Sequence, residues 1–222
     1  MIFITGDTHG DVNYHKLNSK NFPQGKEGGY VIIAGDAGVI FDGAGQDRYV
    51  QKFYNEKAFT TLFIDGNHEN FDILNSYPVE MWNGGKVHKI SDKIIHLMRG
   101  QVFTIEGKTF FTMGGARSVD KALRREHESW WPQEMITEDE MSEACANLDA
   151  VNNQVDYIIS HSAPTQIMWR INPSYEYDTC TNFLQMINET VKFKHHYFGH
   201  YHIDEVLGYR HTAVQENVIL LE

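Results

Sequence analysis

Short apolar runs that end in polar turns divide the first third of the chain. Residues 2–5 and 30–34 form two such runs, and a third ends at Ile64. An apolar run without alternation is typical of a strand that is covered on both faces. Residues 11–29 indicate a short helix and a loop, and residues 48–56 have helical spacing. The order of strand, helix, strand, helix and strand predicts a largely parallel sheet covered by helices.

From residue 84 onward the pattern changes to shorter strands with frequent turn signals. Glu106-Gly107 lies between two strand-like runs and predicts a hairpin, so antiparallel strands join the sheet. Thr137, followed by Glu140, forms a capping box that predicts the start of a helix. The remaining runs predict strands at 94–98, 101–105, 109–113, 157–160, 196–198, 206–212 and 218–221, and a helix at 181–193.

Composition and charge limit the size, the location and the partners of the protein. The chain has 222 residues, of which 41% are hydrophobic, and no internal repeat or linker, so we expect a single domain over residues 1–222. A net charge of −11 argues against broad binding to nucleic-acid phosphates. No apolar stretch approaches the roughly 18 residues of a membrane helix, and the N-terminus lacks a basic leader. We therefore expect a soluble, cytoplasmic protein.

Side chains that bind metals or carry protons follow several of the apolar runs. They are Asp7, His9, Asp36, Asn67, His68, His161, His200 and His202. In sheets of this kind, functional groups collect at the carboxyl ends of the strands. Besides His68, seven potential ligands exceed the roughly four to six that one transition metal takes. Two metals bridged by a carboxylate are therefore predicted, and Asp36, alone in a tight turn near the sheet centre, is the expected bridge.

The spacing of two of these pairs agrees with a shared site. Asp7 and His9 are two residues apart, as are His200 and His202, so each pair points the same way on an extended segment. Any one of these motifs alone is more often structural than ligating. Their joint occurrence, each after a strand, favours a site for two metal ions. Such a pair can hold a shared hydroxide and stabilise both the attacking and the leaving oxygen of an in-line displacement at phosphorus.

Together these motifs resemble those of the calcineurin-like metallophosphoesterases. The matching segments are Asp7-Thr8-His9, Gly35-Asp36, Gly66-Asn67-His68-Glu69, Ser160-His161-Ser162-Ala163-Pro164 and Gly199-His200-Tyr201-His202. The resemblance implies an α/β fold with α+β elements, in which two mixed β-sheets pack as a sandwich flanked by helices. It also implies a dinuclear centre, with manganese as the first expectation and iron, zinc or nickel as alternatives.

The resemblance further implies a role for each matching residue. One metal would take Asp7, His9, Asp36 and His202. The other would take Asp36, Asn67, His161 and His200. His68 would protonate the leaving alkoxide, or orient the substrate, without binding metal.

The chain departs from the protein-phosphatase branch of that family after Asp36. There a second Asp and an Arg-Gly follow, whereas here the motif continues Ala37-Gly38-Val39-Ile40. The missing Asp pairs with the histidine at the position of His68, and the missing Arg contacts phosphate. For the phosphate contact we select Arg117, which follows two glycines at a strand end, with Arg99 and Arg124 as alternatives. Residues 114–136, with Trp130 and Trp131, form either a substrate-selecting cap or an ordinary packed segment.

These features predict a phosphatase-type hydrolase of phosphate esters, in which a metal-bridging hydroxide attacks phosphorus. The ligand set does not distinguish monoesters from diesters, although the acidic charge favours a small phosphomonoester or a phosphoprotein over long DNA. A phosphodiesterase or nuclease of the same family is the first alternative. A non-catalytic protein-interaction scaffold is the second, and the presence of His68 argues against it. The physiological substrate, the native metals and the oligomeric state stay open.

Overall fold

A seven-stranded sheet forms one half of the fold. The computed structural model describes all residues, Met1–Glu222. The strands of this sheet, in spatial order, are β13 (Ile219–Leu220), β1 (Ile2–Thr5), β2 (Tyr30–Ile33), β3 (Thr60–Phe63), β6 (Ile94–Leu97), β5 (Gly85–Ser91) and β4 (Val79–Trp82). β1, β2, β3 and β6 run parallel, while β4, β5 and β13 are antiparallel to their neighbours. The sheet is therefore parallel at its centre and mixed at its edges.

A six-stranded sheet forms the other half. Its strands, in spatial order, are β11 (Glu205–Val206), β12 (His211–Ala213), β10 (His195–Phe198), β9 (Tyr157–Ser160), β8 (Lys108–Met113) and β7 (Gln101–Ile105). β8, β9, β10 and β12 run parallel. β7 and β8 form the predicted hairpin, in which Ile105 lies opposite Lys108 across Glu106-Gly107. Both turn residues have positive φ, 47° and 77°, which suits the twist of a two-residue hairpin.

Five α-helices and several short turns connect the strands. The helices are α1 (Gly45–Asn55), α2 (Phe71–Leu74), α3 (Glu138–Ala150), α4 (Thr165–Ile171) and α5 (Thr179–Thr190), and 3₁₀ turns lie at Tyr14–Leu17, Pro23–Glu27, Lys121–Leu123 and Pro132–Glu134. α3 begins at the predicted capping box, because Thr137 Oγ1 accepts from Glu140 N at 3.2 Å and Glu140 Oε2 accepts from Thr137 N at 2.7 Å. None of the helices is long and apolar enough to cross a bilayer.

Apolar side chains from both sheets meet between them. Ile4 and Ile32 of the first sheet share one buried cluster with Phe110 and Ile159 of the second. A second cluster joins the outer face of the first sheet to α1 and α2, and a third joins the outer face of the second sheet to α3 and α5. The predicted sandwich of two mixed sheets flanked by helices is confirmed.

Some elements differ from the sequence-based prediction. Residues 11–29 form two 3₁₀ turns instead of a helix. The strand predicted over 206–212 is a hairpin of β11 and β12, because Gly208 has a φ of 80° and the Leu207 N–H donates to the His211 carbonyl at 2.8 Å. α4 follows Pro164 directly after the His161 motif and is absent from the sequence-based prediction, since seven residues are too few to show a helical period.

Candidate metal centre

The predicted ligands follow strands of both sheets and meet at one edge of the sandwich. Asp7 and Asp36 follow the neighbouring parallel strands β1 and β2, whereas His161 follows β9 of the other sheet. The sheets are joined here, because His161 Nδ1 donates to the Ala34 carbonyl at 2.8 Å. In the same way, the His200 N–H donates to Asp7 Oδ1 at 3.1 Å. Groups that are far apart in the chain are thus brought within hydrogen-bonding distance.

The floor of the centre is buried and carries mixed oxygen and nitrogen donors. Asp7, Asp36 and His161 are at most 1% exposed. His161 Nε2 lies 3.4 Å from Asp36 Oδ2 and 3.1 Å from Asn67 Oδ1. Because Nδ1 of His161 carries the proton given to Ala34, Nε2 is the ring nitrogen that faces both oxygens. Loss of the Nε2 proton gives this atom the lone pair that binds metal. A cation among these three atoms satisfies all of them.

A second group of donors lies at the rim, above Asp7. Asp7 Oδ2 is 3.1 Å from His202 Nε2 and 3.7 Å from His9 Nε2, and the two imidazole nitrogens are 3.1 Å apart. Ligand atoms on a metal at about 2.0–2.1 Å are separated by about 3.0–3.4 Å. Two edges of this triangle lie in that range, and the third, at 3.7 Å, is slightly longer. Asp7 Oδ2 is also buried and accepts no hydrogen bond. The donors present therefore fit a metal ion on chemical grounds.

Asp36 occupies the middle of the arrangement. Its Oδ2 lies 4.0 Å from both His9 Nε2 and His68 Nε2, in addition to the His161 contact. Its Oδ1 accepts from the His68 N–H at 2.8 Å. The carboxylate that the two three-residue clusters share is Asp7, in Asp7–His9–His202 and Asp7–Asp36–His161. Either carboxylate thus has the position of a bridge, with Asp36 the more central.

His200 lies beside these clusters without belonging to either. Its ring centroid is 5.0 Å from that of His161. Burial and the nearby His161 lower the pKa of His200 to about 4. A neutral imidazole is the form that ligates metal, so its protonation state suits the role that the resemblance implies.

Backbone conformation at the site is strained. His9, Asp36, His200 and His202 have φ values of 45°, 48°, 69° and 52°, although the left-handed region is unfavourable for residues with a Cβ. Strain of this kind persists where the surrounding structure enforces it, and it concentrates at functional sites. Gly35 permits the close approach of the His161 ring to the main chain after β2, because a Cβ on residue 35 would lie 2.1 Å from His161 Nδ1.

Two buried carboxylates, Glu69 and Glu134, hold the candidate ligands in place. Glu69 joins two ligand loops, because it accepts from Ala37 N at 2.9 Å and from Gly66 N at 2.6 Å. Asn67 Nδ2 donates to Ser118 Oγ, which in turn donates to Glu134. This chain turns Asn67 Oδ1 toward His161. Glu134 carries no sequence signal of its own, since it lies outside the motifs, within residues 114–136.

Electrostatics within the centre favour positive charge. Burial opposes ionisation of both Asp36 and His161, but their mutual attraction outweighs it. The pKa of His161 is raised to about 10 by Asp36 and Asp7, and the pKa of Asp36 falls below its ordinary value beside His161, His68 and His9. Burial lowers the pKa of His68, which Asp36 partly offsets. The buried carboxylates of Asp7 and Asp36 thus attract positive charge, which metal ions would supply.

The three arginines considered for phosphate contact have different surroundings. Arg117 lies beside the centre and pairs with Glu176 at 3.1 Å. Arg124 also lies beside it and forms two bonds to Asp120, at 2.7 and 2.8 Å. Arg99, in contrast, is 8% exposed and bonded to Asp65 and to main-chain carbonyls of residues 133–135. The donors of Arg99 are thus already bonded in the core, which leaves Arg117 and Arg124 for the phosphate contact.

Two clefts open at the centre, and His68 lines both of them. The first has a volume of about 320 Å³ and the second of about 350 Å³, and Asp36 and His68 line both. Further residues of the first cleft include Arg117, Val119, Asp120, Tyr175, Glu176 and Tyr201. Those of the second include His9, Val12, Phe41, Gln46 and Arg124. Residues 117–124, within the predicted cap, thus contribute to both clefts.

Comparison with known proteins identifies one matching family. The sequence model of the calcineurin-like phosphoesterase family matches residues 1–204, a range that includes every candidate ligand. No protein of curated function matches the chain significantly. Among solved structures, a phosphopantetheinyl hydrolase from Mycobacterium tuberculosis is similar over 96% of this chain and 89% of its own, with a TM-score of 0.45 and 13% sequence identity.

Proposed function

The chain belongs to the calcineurin-like phosphoesterase family, which hydrolyses phosphate esters with the aid of metal, and we propose that its centre holds two metal ions. The buried, unbonded Asp7 Oδ2 beside two imidazole nitrogens is the observation that carries this proposal. Manganese is the first expectation, with iron, zinc or nickel as alternatives. The reaction is of the phosphatase type, in which water attacks phosphorus.

The ligand roles are those that the resemblance to the family implies, and the distances within the centre support them. We assign Asp7, His9 and His202 to the rim metal and Asn67, His161 and His200 to the floor metal. Asp36 serves both, since its Oδ2 reaches toward His9 and His161 alike. When bound, the two ions supply an activated water and neutralise charge on the phosphoryl oxygens.

His68 acts on the leaving group. Its ring is 26% exposed and lines both clefts, and its main-chain N–H donates to Asp36 Oδ1. The lowered pKa makes its imidazolium readier to give up a proton, as a general acid requires. We therefore assign to His68 the protonation of the leaving oxygen.

The remaining assignments concern the phosphate contact, the cap, the substrate class and the cellular compartment. Arg117 contacts a phosphate oxygen after parting from Glu176, and residues 114–136 form a cap on one domain of residues 1–222. The substrate is a small phosphate ester or a phosphoprotein, because a net charge of −11 repels extended nucleic acid. The unpaired thiols of Cys145 and Cys180 suit the reducing cytoplasm.

Turnover of 4-nitrophenyl esters of phosphoric acid tests the proposed function. After chelation, the protein should retain less than about a thousandth of its activity, since metals supply several kcal/mol of transition-state stabilisation. Added manganese should restore the activity. No turnover with manganese, iron, zinc or nickel would favour the protein-interaction scaffold instead.

Replacement of Arg117 by alanine tests the phosphate contact. A hydrogen bond to a charged group contributes about 1.5–3 kcal/mol, so kcat/KM should fall by about 10- to 100-fold. Arg125→Ala is the matched control, because Arg125 is 81% exposed and away from both clefts. If Arg117→Ala keeps wild-type kcat/KM while Arg124→Ala loses it, the phosphate contact belongs to Arg124.

A further inference from the structure

We propose that Lys16 and Asp204 are positioning residues for the rim metal, and that they act through the loop between β12 and β13, residues 214–218. The inference rests on the proposed two-metal centre, and it assigns the residues that set the distance between two rim ligands, Asp7 and His202. Neither positioning residue belongs to the ligand motifs. The β12–β13 loop lies beyond residue 204, where the match to the family ends.

The rim ligand His202 receives little support from packing. Its side chain is 56% exposed, whereas those of Asp36 and His161 in the floor are at most 1% exposed. His202 also has a φ of 52°, a conformation that persists only where the surrounding structure enforces it. The position of its ring therefore depends on contacts that fix the main chain on either side.

Asp204 supplies such contacts two residues after His202. Its carboxylate accepts hydrogen bonds from three successive main-chain N–H groups of the β12–β13 loop, at 2.8, 3.0 and 3.2 Å. The donors are Gln215, Glu216 and Asn217. Hydrogen bonds from N–H groups to a carboxylate are stronger than those between neutral groups. The main chain that carries His202 is thus fastened to the β12–β13 loop.

Lys16 fastens the same loop to the main chain of Asp7. Its ammonium group donates to the carbonyls of Gly6 and Asp7, at 3.0 and 2.9 Å, and to the carbonyl of Gln215. Lys16 is 7% exposed, and the three carbonyls match the three protons of its ammonium group. Gln215 is therefore held at its carbonyl by Lys16 and at its N–H by Asp204.

The main chain on both sides of the β12–β13 loop is in direct contact with it. A Cβ on Gly6 would lie 1.9 Å from the Val214 carbonyl oxygen, so the residue before Asp7 touches the loop. The Val214 N–H donates to the Phe198 carbonyl at 2.9 Å, at the end of β10 that leads to His202. A shift of the loop would therefore move Asp7 and His202 relative to each other.

The distance that these contacts set is one between two donors to the rim metal. Asp7 Oδ2 lies 3.1 Å from His202 Nε2. This separation suits two ligands of one ion at about 2.0–2.1 Å. The floor depends on other contacts, among them the bond from His161 to the Ala34 carbonyl. Loss of either positioning residue should therefore weaken the rim metal and spare the floor metal.

Manganese titration of metal-free protein tests the inference. Contacts that orient ligands contribute about 10- to 100-fold to metal affinity, so Asp204→Ala should raise the Kd of one of the two ions at least about tenfold. The Kd of the other ion should stay unchanged. His9→Ala, which removes a rim ligand, identifies the floor ion as the one it retains, and adding Asp204→Ala should not weaken that ion. Lys16→Met should act like Asp204→Ala.

Asp156→Ala is the matched control. Asp156 also joins two segments through a main-chain N–H, that of Thr109 at 2.8 Å, but it precedes β9, at the end of that strand opposite His161. Its replacement should leave both Kd values unchanged, and thermal melting of each variant separates a loss of metal affinity from a loss of stability. Where Lys16→Met does not fold, Asp204→Ala decides, because Asp204 is exposed.

The outcomes separate the inference from the proposed function. If Asp204→Ala leaves both ions unaffected, or weakens both, the inference is overturned while the two-metal proposal stands. Weakening of the ion that His9→Ala retains also overturns the inference. A wild type that binds one ion or none overturns both.

Discussion

Replacing His68 with alanine should lower kcat by about 10²- to 10⁴-fold, the usual contribution of a positioned general acid. The ring is only partly exposed, and its Nε2 is 4.0 Å from the central Asp36 Oδ2. It is not needed to hold the floor of the centre, because His161 and Asn67 contact each other directly. The substitution should therefore remove proton transfer and spare the fold and the metal ligands.

The dependence on leaving group makes this prediction specific. A nitrophenolate leaves without help, whereas an alkoxide needs a proton, so the loss in His68→Ala should be much larger for alkyl esters than for 4-nitrophenyl esters. Exposed His15 offers the matched control, and His15→Ala should behave as wild type. Equal rates of wild type and His68→Ala with both kinds of ester would remove His68 from the mechanism.

Much of the centre could be predicted because each ligand lies in a short local motif at a strand end. Asp7 and Asp36 directly follow buried apolar runs that the sequence shows clearly. Parallel strands bring such ends to one edge without any knowledge of tertiary contacts. The hairpin at Glu106-Gly107 was likewise predictable, since Gly107 favours the positive φ of a two-residue turn and strand-like runs lie on both sides.

The supporting contacts could not be predicted, because they join residues that are distant in the chain. Arg117 and Arg99 look alike in sequence, each near a strand end with glycine beside it. Only the folded chain shows that Arg99 is buried against Asp65 and that Arg117 reaches Glu176 across 59 positions. The Asp120–Arg124 pair arises within a segment with no apolar period, where sequence patterns predict little.

Replacing Asp36 with asparagine should lower kcat by at least about a thousandfold, as expected if about 4 kcal/mol of metal-derived stabilisation is lost. Asparagine keeps an Oδ1 that can accept from the His68 N–H, so the loop should retain its shape. It lacks the negative charge that a bridging ligand needs. Asp92→Asn, at an exposed position, is the matched control and should keep wild-type activity.

Metal content tests the central claim most directly. After equilibration with manganese and removal of free ions, elemental analysis should find two metal ions per chain in the wild type and in Asp92→Asn. Asp36→Asn should hold one or none, with circular dichroism unchanged. A wild type that binds a single ion, or an Asp36→Asn variant that keeps two, would contradict the proposed dinuclear centre.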